Sequence, residues 1–383
     1  MNTYFISLSD MNNWIIILLF LLSACSACNV NDRVSDTEES KEIFIPLSTR
    51  VELTVEDLFS EYRYIPLETC SEALLPDQNH LKALYVRNGR IYVAANDLVY
   101  VFDQNGKHLF TLSHKGEGPE EYIGLYHCLV WGNGDISVLA GHSMVNYTSE
   151  GAFISRHDFP DLFCRAAIAL NDSLYLMRHF EFSKPEFDRF YVVNRYTGEL
   201  VRSYWHMKRR GFVFWFTDVF CTYQDKILFN EYQNNGIYEL TADSAILRYV
   251  INVNDRMAPP GFWEQEGLIG MPLRKEWEKQ GYISHIPYFV ESASTILLRF
   301  EGPDEYQQAY AWIDKHTCQS KLIKTIRYDD YFRNEPRALF PQGDGWCGIL
   351  LNAEEIAQKE AFAARFPGLN EESNPVLFIG KLK

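Results

Sequence analysis

Eight side chains in this sequence are of types that could meet a polar ligand, and they recur at comparable intervals: Asp97, His142, Arg178, His179, Glu181, Glu231, Arg299 and Glu301. Each ends or follows an apolar stretch. Carboxylates, imidazoles and guanidinium groups in this mixture both donate and accept hydrogen bonds, which suits recognition of a glycan, a peptide or another polar ligand. Glu231 and Glu301 would also suit acid/base work on a glycosidic bond if the fold set them about 5–10 Å apart. The linear signatures of catalysis are missing: no HExxH, no GxSxG and no P-loop. Gly116-Glu117-Gly118 lacks the third glycine and the βαβ surroundings of a dinucleotide turn. The ten histidines are isolated in sequence, so spacing names no metal ligand. No catalytic residue, cofactor or metal is expected from these patterns.

The elements that must carry those residues are short strands. Leu81–Val86, Arg90–Ala94, Leu98–Phe102 and His108–Leu112 form four strands within about thirty residues, separated by turn residues. Asn105-Gly106 is the pair that type I′ hairpins prefer. The phrase recurs: turns at 106, 151, 198, 244 and 318 are spaced by 45, 47, 46 and 74 residues. A period in the forties with four strands per unit is the mark of a β-propeller. A β-sandwich also has regular short strands, but has no reason to repeat one four-strand phrase. The long interval contains an insertion, about Asp255 to Gly281, in which Pro272–Gln280 reads as a short helix. Trp346–Leu351 and Val376–Leu382 supply a sixth blade, with Ala353–Phe366 between them reading as one helix. The segment Glu61–Leu67 is a further strand, placed to pair with that blade and close the ring. The expected fold is therefore all-β, a six-bladed propeller of four-stranded antiparallel blades over residues 43–383.

In such a ring the link between the second and third strands lies on the same rim as the link to the next blade. The second-strand exits fall at Asn96-Asp97, Gly141-His142, Arg178-His179 with Glu181, Asn230-Glu231, Arg299 with Glu301, and Asn352 with Glu354. A polar or charged group at every exit predicts a binding rim around the channel mouth. Exposed links prefer polar residues in any case, so each residue alone carries less weight than the set. Lys115–Tyr122 joins the first two blades on this rim, where Gly116 and Gly118 favour a structural turn.

Composition and the N-terminus bear on address. Lys+Arg 36 against Asp+Glu 51 gives a net charge of −15, which argues against a nucleic-acid partner. Trp14–Ala24 is an apolar run too short to span a bilayer as a helix and long enough for the core of a secretory signal. No Lys or Arg precedes it, and Met11 is a second possible start. Leu22-Ser23-Ala24-Cys25 resembles a bacterial lipobox, which makes Cys25 the expected lipidation site. Residues 1–24 are thus read as a signal peptide and 25–42 as the lipidated cysteine with a polar tether. Cys25 and Cys28 form a CxxC without a second pair, so redox and zinc readings fail. The remaining cysteines are scattered and read as small buried hydrophobes.

Four phrases carry a family resemblance: Tyr64-Ile65-Pro66-Leu67-Glu68-Thr69; Val101–Lys107; Lys115-Gly116-Glu117-Gly118-Pro119-Glu120-Glu121-Tyr122; and Asn374-Pro375-Val376-Leu377 with Lys381-Leu382-Lys383. In this order, over residues 43–383, the chain resembles the six-bladed β-propeller lipoproteins of Bacteroidetes-type bacteria, similar in shape to NHL-type propellers. The resemblance implies the fold and an envelope address. It implies no catalytic residue.

The expected function is an envelope-anchored binding module that presents its polar rim to an unknown ligand or envelope protein. Two alternatives stand beside it. One is a hydrolase or lyase acting on a glycan, lactone or peptide at the channel mouth. The other is a structural component of an envelope complex.

Overall fold

The computed structural model describes residues 40–48, 50–76, 80–180, 186–208, 220–231, 233–264, 270–283, 285–302, 309–329, 332–334 and 339–383. The expected signal segment, Cys25, most of the tether and Glu181 lie outside these residues.

The chain enters through three strands, β1 (Lys41–Ile45), β2 (Arg50–Thr54) and β3 (Phe59–Pro66), with a one-turn helix α1 (Val55–Leu58) before the third. Six blades follow. Blade 1 is β4 (Leu81–Arg87), β5 (Arg90–Ala95), β6 (Leu98–Asp103) and β7 (His108–Leu112). Blade 2 is β8 (His127–Val130), β9 (Ile136–Leu139), β10 (Ser143–Tyr147) and β11 (Phe153–Asp158). Blade 3 is β12 (Cys164–Ala169), β13 (Leu174–His179), β14 (Glu186–Asn194) and β15 (Leu200–Lys208). Blade 4 is β16 (Cys221–Tyr223), β17 (Lys226–Asn230), β18 (Gly236–Leu240) and β19 (Ala245–Val253). The insertion carries a 3₁₀ turn (Pro260–Glu264) and helix α2 (Met271–Gln280). Blade 5 is β20 (His285–Glu291), β21 (Thr295–Glu301), β22 (Ala309–Asp314) and β23 (Ser320–Tyr328), with β24 (Phe332–Asn334) beside β23. Blade 6 is β25 (Phe340–Gly343), β26 (Trp346–Leu351), helices α3 (Ala353–Ala357) and α4 (Glu360–Ala363), and β27 (Val376–Leu382).

The N-terminal strand β3 is the fourth strand of blade 6, antiparallel to β27 with Ile65 opposite Leu377. This is the predicted closure. Two further strands escape sequence reading. β1 runs parallel to β19 on the outer edge of blade 4, and β2 runs parallel to β23 on the outer edge of blade 5. Lys41 and Glu42, read as tether, are the first two residues of β1.

Middle strands such as ISVL in β9 and SMVNY in β10 are buried throughout, because a neighbouring blade covers each face. Outer strands such as β11 leave one side open. The core therefore lies between blades: Val101, Val138 and Tyr147 join blades 1 and 2, and Ile65, Phe102 and Leu377 join blades 6 and 1. The six described cysteines are free thiols, four of them buried. Burial pushes the Cys128 and Cys221 thiols up to about 12.

Two local expectations change. Asn105-Gly106 does not form a two-residue I′ turn. The link spans four residues, only Gly106 is left-handed (φ 86°), and Asp103 Oδ1 accepts from the Asn105 and Lys107 amides at 2.8 and 2.9 Å. The single helix expected over 353–366 is broken at Lys359 (φ −113°, ψ 80°). The break turns Phe362 onto Tyr64, with ring centroids 5.4 Å apart.

Candidate functional site

Link lengths divide the two rims. On the lower rim, which holds the links between strands 1 and 2 and between strands 3 and 4, no link exceeds five residues. On the upper rim, which holds the 2–3 links and the blade-to-blade links, residues 113–126, 254–284 and 352–375 are inserted. All six predicted exits lie on the upper rim.

The lower rim is tied blade to blade. Arg90 pairs with Glu150 at 3.0 Å, Arg195 with Asp135, and Arg248 of blade 4 with the fully buried Glu291 of blade 5 at 3.5 Å, which Lys315 of its own blade also holds at 2.7 Å. Tyr249 donates to the same Glu291 oxygen at 2.8 Å. Sequence reading missed this belt, since partners such as Tyr249 and Glu291 come together only through the register of adjacent blades.

The structure brings together Arg178, His179 and Glu231. Arg178 Nη2 and Arg189 Nη2 lie 3.2 and 3.1 Å from the same Glu231 oxygen, Oε1. Arg189 Nη1 donates to the His179 carbonyl at 2.9 Å, and His179 Nδ1 donates to the Asp188 carbonyl at 3.3 Å. All four side chains are buried, Arg178 to 1% exposure and Glu231 to 2%. Arg178 also stands over Phe229 at 5.5 Å and Arg189 over Phe187 at 4.9 Å. This joins blades 3 and 4 at the upper rim. Sequence reading named Arg178, His179 and Glu231 as rim groups and missed Arg189, which lies one strand beyond the exit it looked at.

Trp205 sits opposite this cluster in β15 with φ 62°, a left-handed conformation rare for a bulky side chain. Its ring packs on Tyr238 at 4.6 Å.

The other predicted residues stand apart from that cluster. Arg299 is buried and contacts Glu301 within β21 at 3.3 Å. Burial holds the Glu301 carboxyl above its ordinary value, opposed by Arg299 and by Arg274 of α2. Asp97 is bound by Lys115 and accepts from the Leu125 amide at 3.0 Å. These partners hold its carboxyl below the ordinary range, against the effect of its partial burial. His142 is exposed beside the Phe163 ring, at 5.2 Å. Glu231 is thus a wall residue, while Asp97, His142 and Glu301 reach the rim surface. Among the described residues no group of three or more His, Cys, Asp or Glu side chains is placed to hold a metal.

Lys115–Tyr122 folds on itself. Gly118 N–H donates to Glu121 Oε2 at 2.8 Å, and Tyr122 O–H donates to the Asp97 carbonyl at 2.7 Å. An added Cβ at Gly116 would meet Glu121 Oε2 at 1.9 Å, so a side chain there would displace the Glu121 carboxylate from this turn. Glu117 and Glu120 remain exposed.

The remaining three signature phrases meet at the seam of blades 6 and 1. Asn374 Nδ2 donates to the Glu68 carbonyl at 2.7 Å, Glu68 N–H to the Gly106 carbonyl at 2.8 Å, and Leu67 N–H to the Pro375 carbonyl at 3.2 Å. Their work is ring closure.

On the axis lies a cavity of about 90 Å³. Inner strands of blades 1, 2, 3, 4 and 6 line it, with Lys82, Tyr85, Arg87, His127, Thr222 and Gln342 as the polar groups. Blade 5 is excluded because blades 4 and 6 touch below it: Asp344 N–H donates to the Thr222 carbonyl at 3.0 Å, and Gln224 N–H to Asp344 Oδ1 at 2.8 Å.

Solved structures share this architecture. A Bacteroides fragilis protein described as exported superposes with a TM-score of 0.70 at 16% identity, covering 90% of this chain and all of its own. A member of the DUF4221 family from Bacteroides vulgatus gives a TM-score of 0.51 at 12% identity, covering 85% of this chain and 97% of its own. These likenesses bear on fold alone. No curated protein matches the chain. The family model described as a domain of unknown function, DUF4934, matches residues 41–381, and the chain belongs to that family.

Proposed function

We propose that this protein is a lipid-anchored binding propeller of the cell envelope, with the upper rim as its recognition face. The observation that supports this reading is the one-sidedness of the links. The lower rim is built of short hairpins locked by ion pairs, whereas every long insertion is spent on the upper rim. Loops held by a rigid scaffold are where recognition is carried. The buried Arg178–Glu231–Arg189 cluster fixes the wall beneath that face. The surface groups above it, Asp97, His142 and Glu301, offer both donors and acceptors.

The envelope address rests on the lipobox pattern ending in Cys25 and agrees with the description of the Bacteroides fragilis neighbour as exported. Fatty-acid labelling of the wild-type chain and of Cys25→Ala tests it; equal labelling of both removes the anchor. For the rim, a glycan and peptide array is probed with the wild type, with His142→Ala/Glu301→Gln and with a lower-rim control, Tyr196→Ser. The rim pair is expected to lose the bound class and the control to keep it. The reverse pattern sinks the reading.

Glu301 supports a second reading, a hydrolase or lyase. A partly buried carboxyl with a raised proton affinity is the type of group a general acid requires. Glu231, the second carboxylate of that pair in the sequence, is taken up by two arginines, so a two-carboxylate mechanism lacks its second member. Turnover of an array hit, abolished in Glu301→Gln, would favour this reading over simple binding.

A further inference from the structure

We propose that the axial cavity is a binding site for a small oxyanion of the carboxylate or phosphate class. The site lies inside the ring and is independent of the rim reading. Three observations carry it.

The first is charge. The basic side chains lining the cavity are Lys82, Arg87 and His127, with no Asp or Glu among its described lining residues. This occurs in a chain of net charge −15. A cleft lined by one sign of charge, with low-dielectric walls, concentrates the opposite ion. His127 is 8% exposed.

The second is pairing. Most partly buried arginines elsewhere in the propeller reach a carboxylate: Arg90 reaches Glu150, Arg156 reaches Asp158, and Arg248 reaches Glu239 and Glu291. Arg87 is different. Its contacts are the Val130 carbonyl, which accepts from Nη1 at 2.9 Å, and the Tyr85 ring at 5.4 Å. Lys82 forms no ion pair among the described residues. It lies in the field of Asp97, but that carboxylate is already bound by Lys115. Two cations therefore face the axis without a carboxylate of their own.

The third is local geometry. The register of β4 on β5 shifts between Leu81 and Ala83, which makes Lys82 the extra residue of a bulge. Bulges re-aim a side chain and are common beside functional sites. Here the bulge stands at the upper end of the innermost strand, where Lys82 and His127, the first residue of β8, share the mouth of the cavity. Arg87 stands five residues further down. At about 90 Å³ the space admits a few waters or one small oxyanion and is too small for a typical ligand pocket of roughly 300–1,000 Å³. A cation is disfavoured by the positive charge of the lining.

The test is a thermal-unfolding titration of the purified full chain with sodium phosphate, with sodium acetate and with sodium chloride, all at one ionic strength. A saturable rise with phosphate or acetate, absent with chloride, is expected, and which salt acts names the geometry of the anion. Lys82→Gln, at an exposed position, and Arg87→Gln should each weaken the midpoint about tenfold, the loss of one charge-assisted contact. Arg87→Lys keeps the charge and covers the case in which Arg87→Gln fails to fold. An equal response to all three salts, or a Lys82→Gln/Arg87→Lys pair that keeps the wild-type midpoint, overturns the proposal.

Discussion

Asn374 and Glu68, 306 residues apart in the chain, are joined by a 2.7 Å hydrogen bond from the Asn374 side-chain amide to the Glu68 carbonyl. The same amide donates to the Ala73 carbonyl, and its oxygen accepts from the Leu75 amide at 2.9 Å. One 4%-exposed side chain therefore holds the segment that leads from the closing strand into blade 1. Asn374→Ala takes the partner from the Glu68 and Ala73 carbonyls and from the Leu75 N–H, and the buried Ala73 carbonyl left unsatisfied should cost about 1–3 kcal/mol. Denaturant unfolding reads this directly, and an unchanged midpoint would show that water replaces the amide.

Gly106 and Gly89 make a matched pair. Both are left-handed, with φ 86° and 70°. A Cβ at Gly106 would lie 2.1 Å from the Pro66 carbonyl oxygen, whereas one at Gly89 meets nothing within 4 Å. Gly89→Ala should cost about 1–2 kcal/mol from backbone strain alone. Gly106→Ala should cost clearly more, because the clash falls on backbone at the seam. Equal losses in the two variants would mean that the seam yields freely.

Glu231 neutralises two buried guanidinium groups through one oxygen. Its replacement by alanine removes that counter-charge from both, a change that typically costs about 3–5 kcal/mol. Because the pair spans blades 3 and 4, hydrogen exchange should accelerate in β13 and β17 before it does in blade 6. A uniform change across the ring would contradict this.

Glu301 gives the chain a pH dependence of defined sign. Burial raises its carboxyl above the ordinary value of 4.5. The folded chain then holds that proton more tightly than the unfolded chain does. The contribution is fully present below 4.5 and is lost as pH rises through the folded-state value. The stability of the wild type minus that of Glu301→Gln should therefore fall between pH 4 and pH 7. A flat or rising difference in paired melts refutes the assignment.

The repeat was legible because turns must be written in particular residues. The five turns between third and fourth strands lie where Gly106, Gly151, Gly198, Ser244 and Cys318 place them. The closing strand was legible from its own composition, Tyr64-Ile65-Pro66-Leu67. β1 and β2 were not, because KEIFI and RVELT resemble any charged, partly apolar segment, and only the outer edges of blades 4 and 5 make them strands. The rim was legible as a location and less so as chemistry. Arg178 and Glu231 were found, but their burial was not, since a residue that ends a strand can turn either to solvent or into the wall. Arg189 carries no local signal at all. Its role follows from the pairing of β13 with β14, which places Phe190 opposite Arg178.

The strands β1, β2 and β3 begin nine residues apart and rest on blades 4, 5 and 6 in turn. This has a mechanical consequence. A pull on the chain ahead of Lys41 is borne first by the five residue pairs of β1 with β19, then by those of β2 with β23. Only after both have yielded does the load reach β3, whose loss would open the ring. The two outer strands thus act as a strain relief, and the tension needed to detach them sets how hard the propeller can be tugged before its closure is touched.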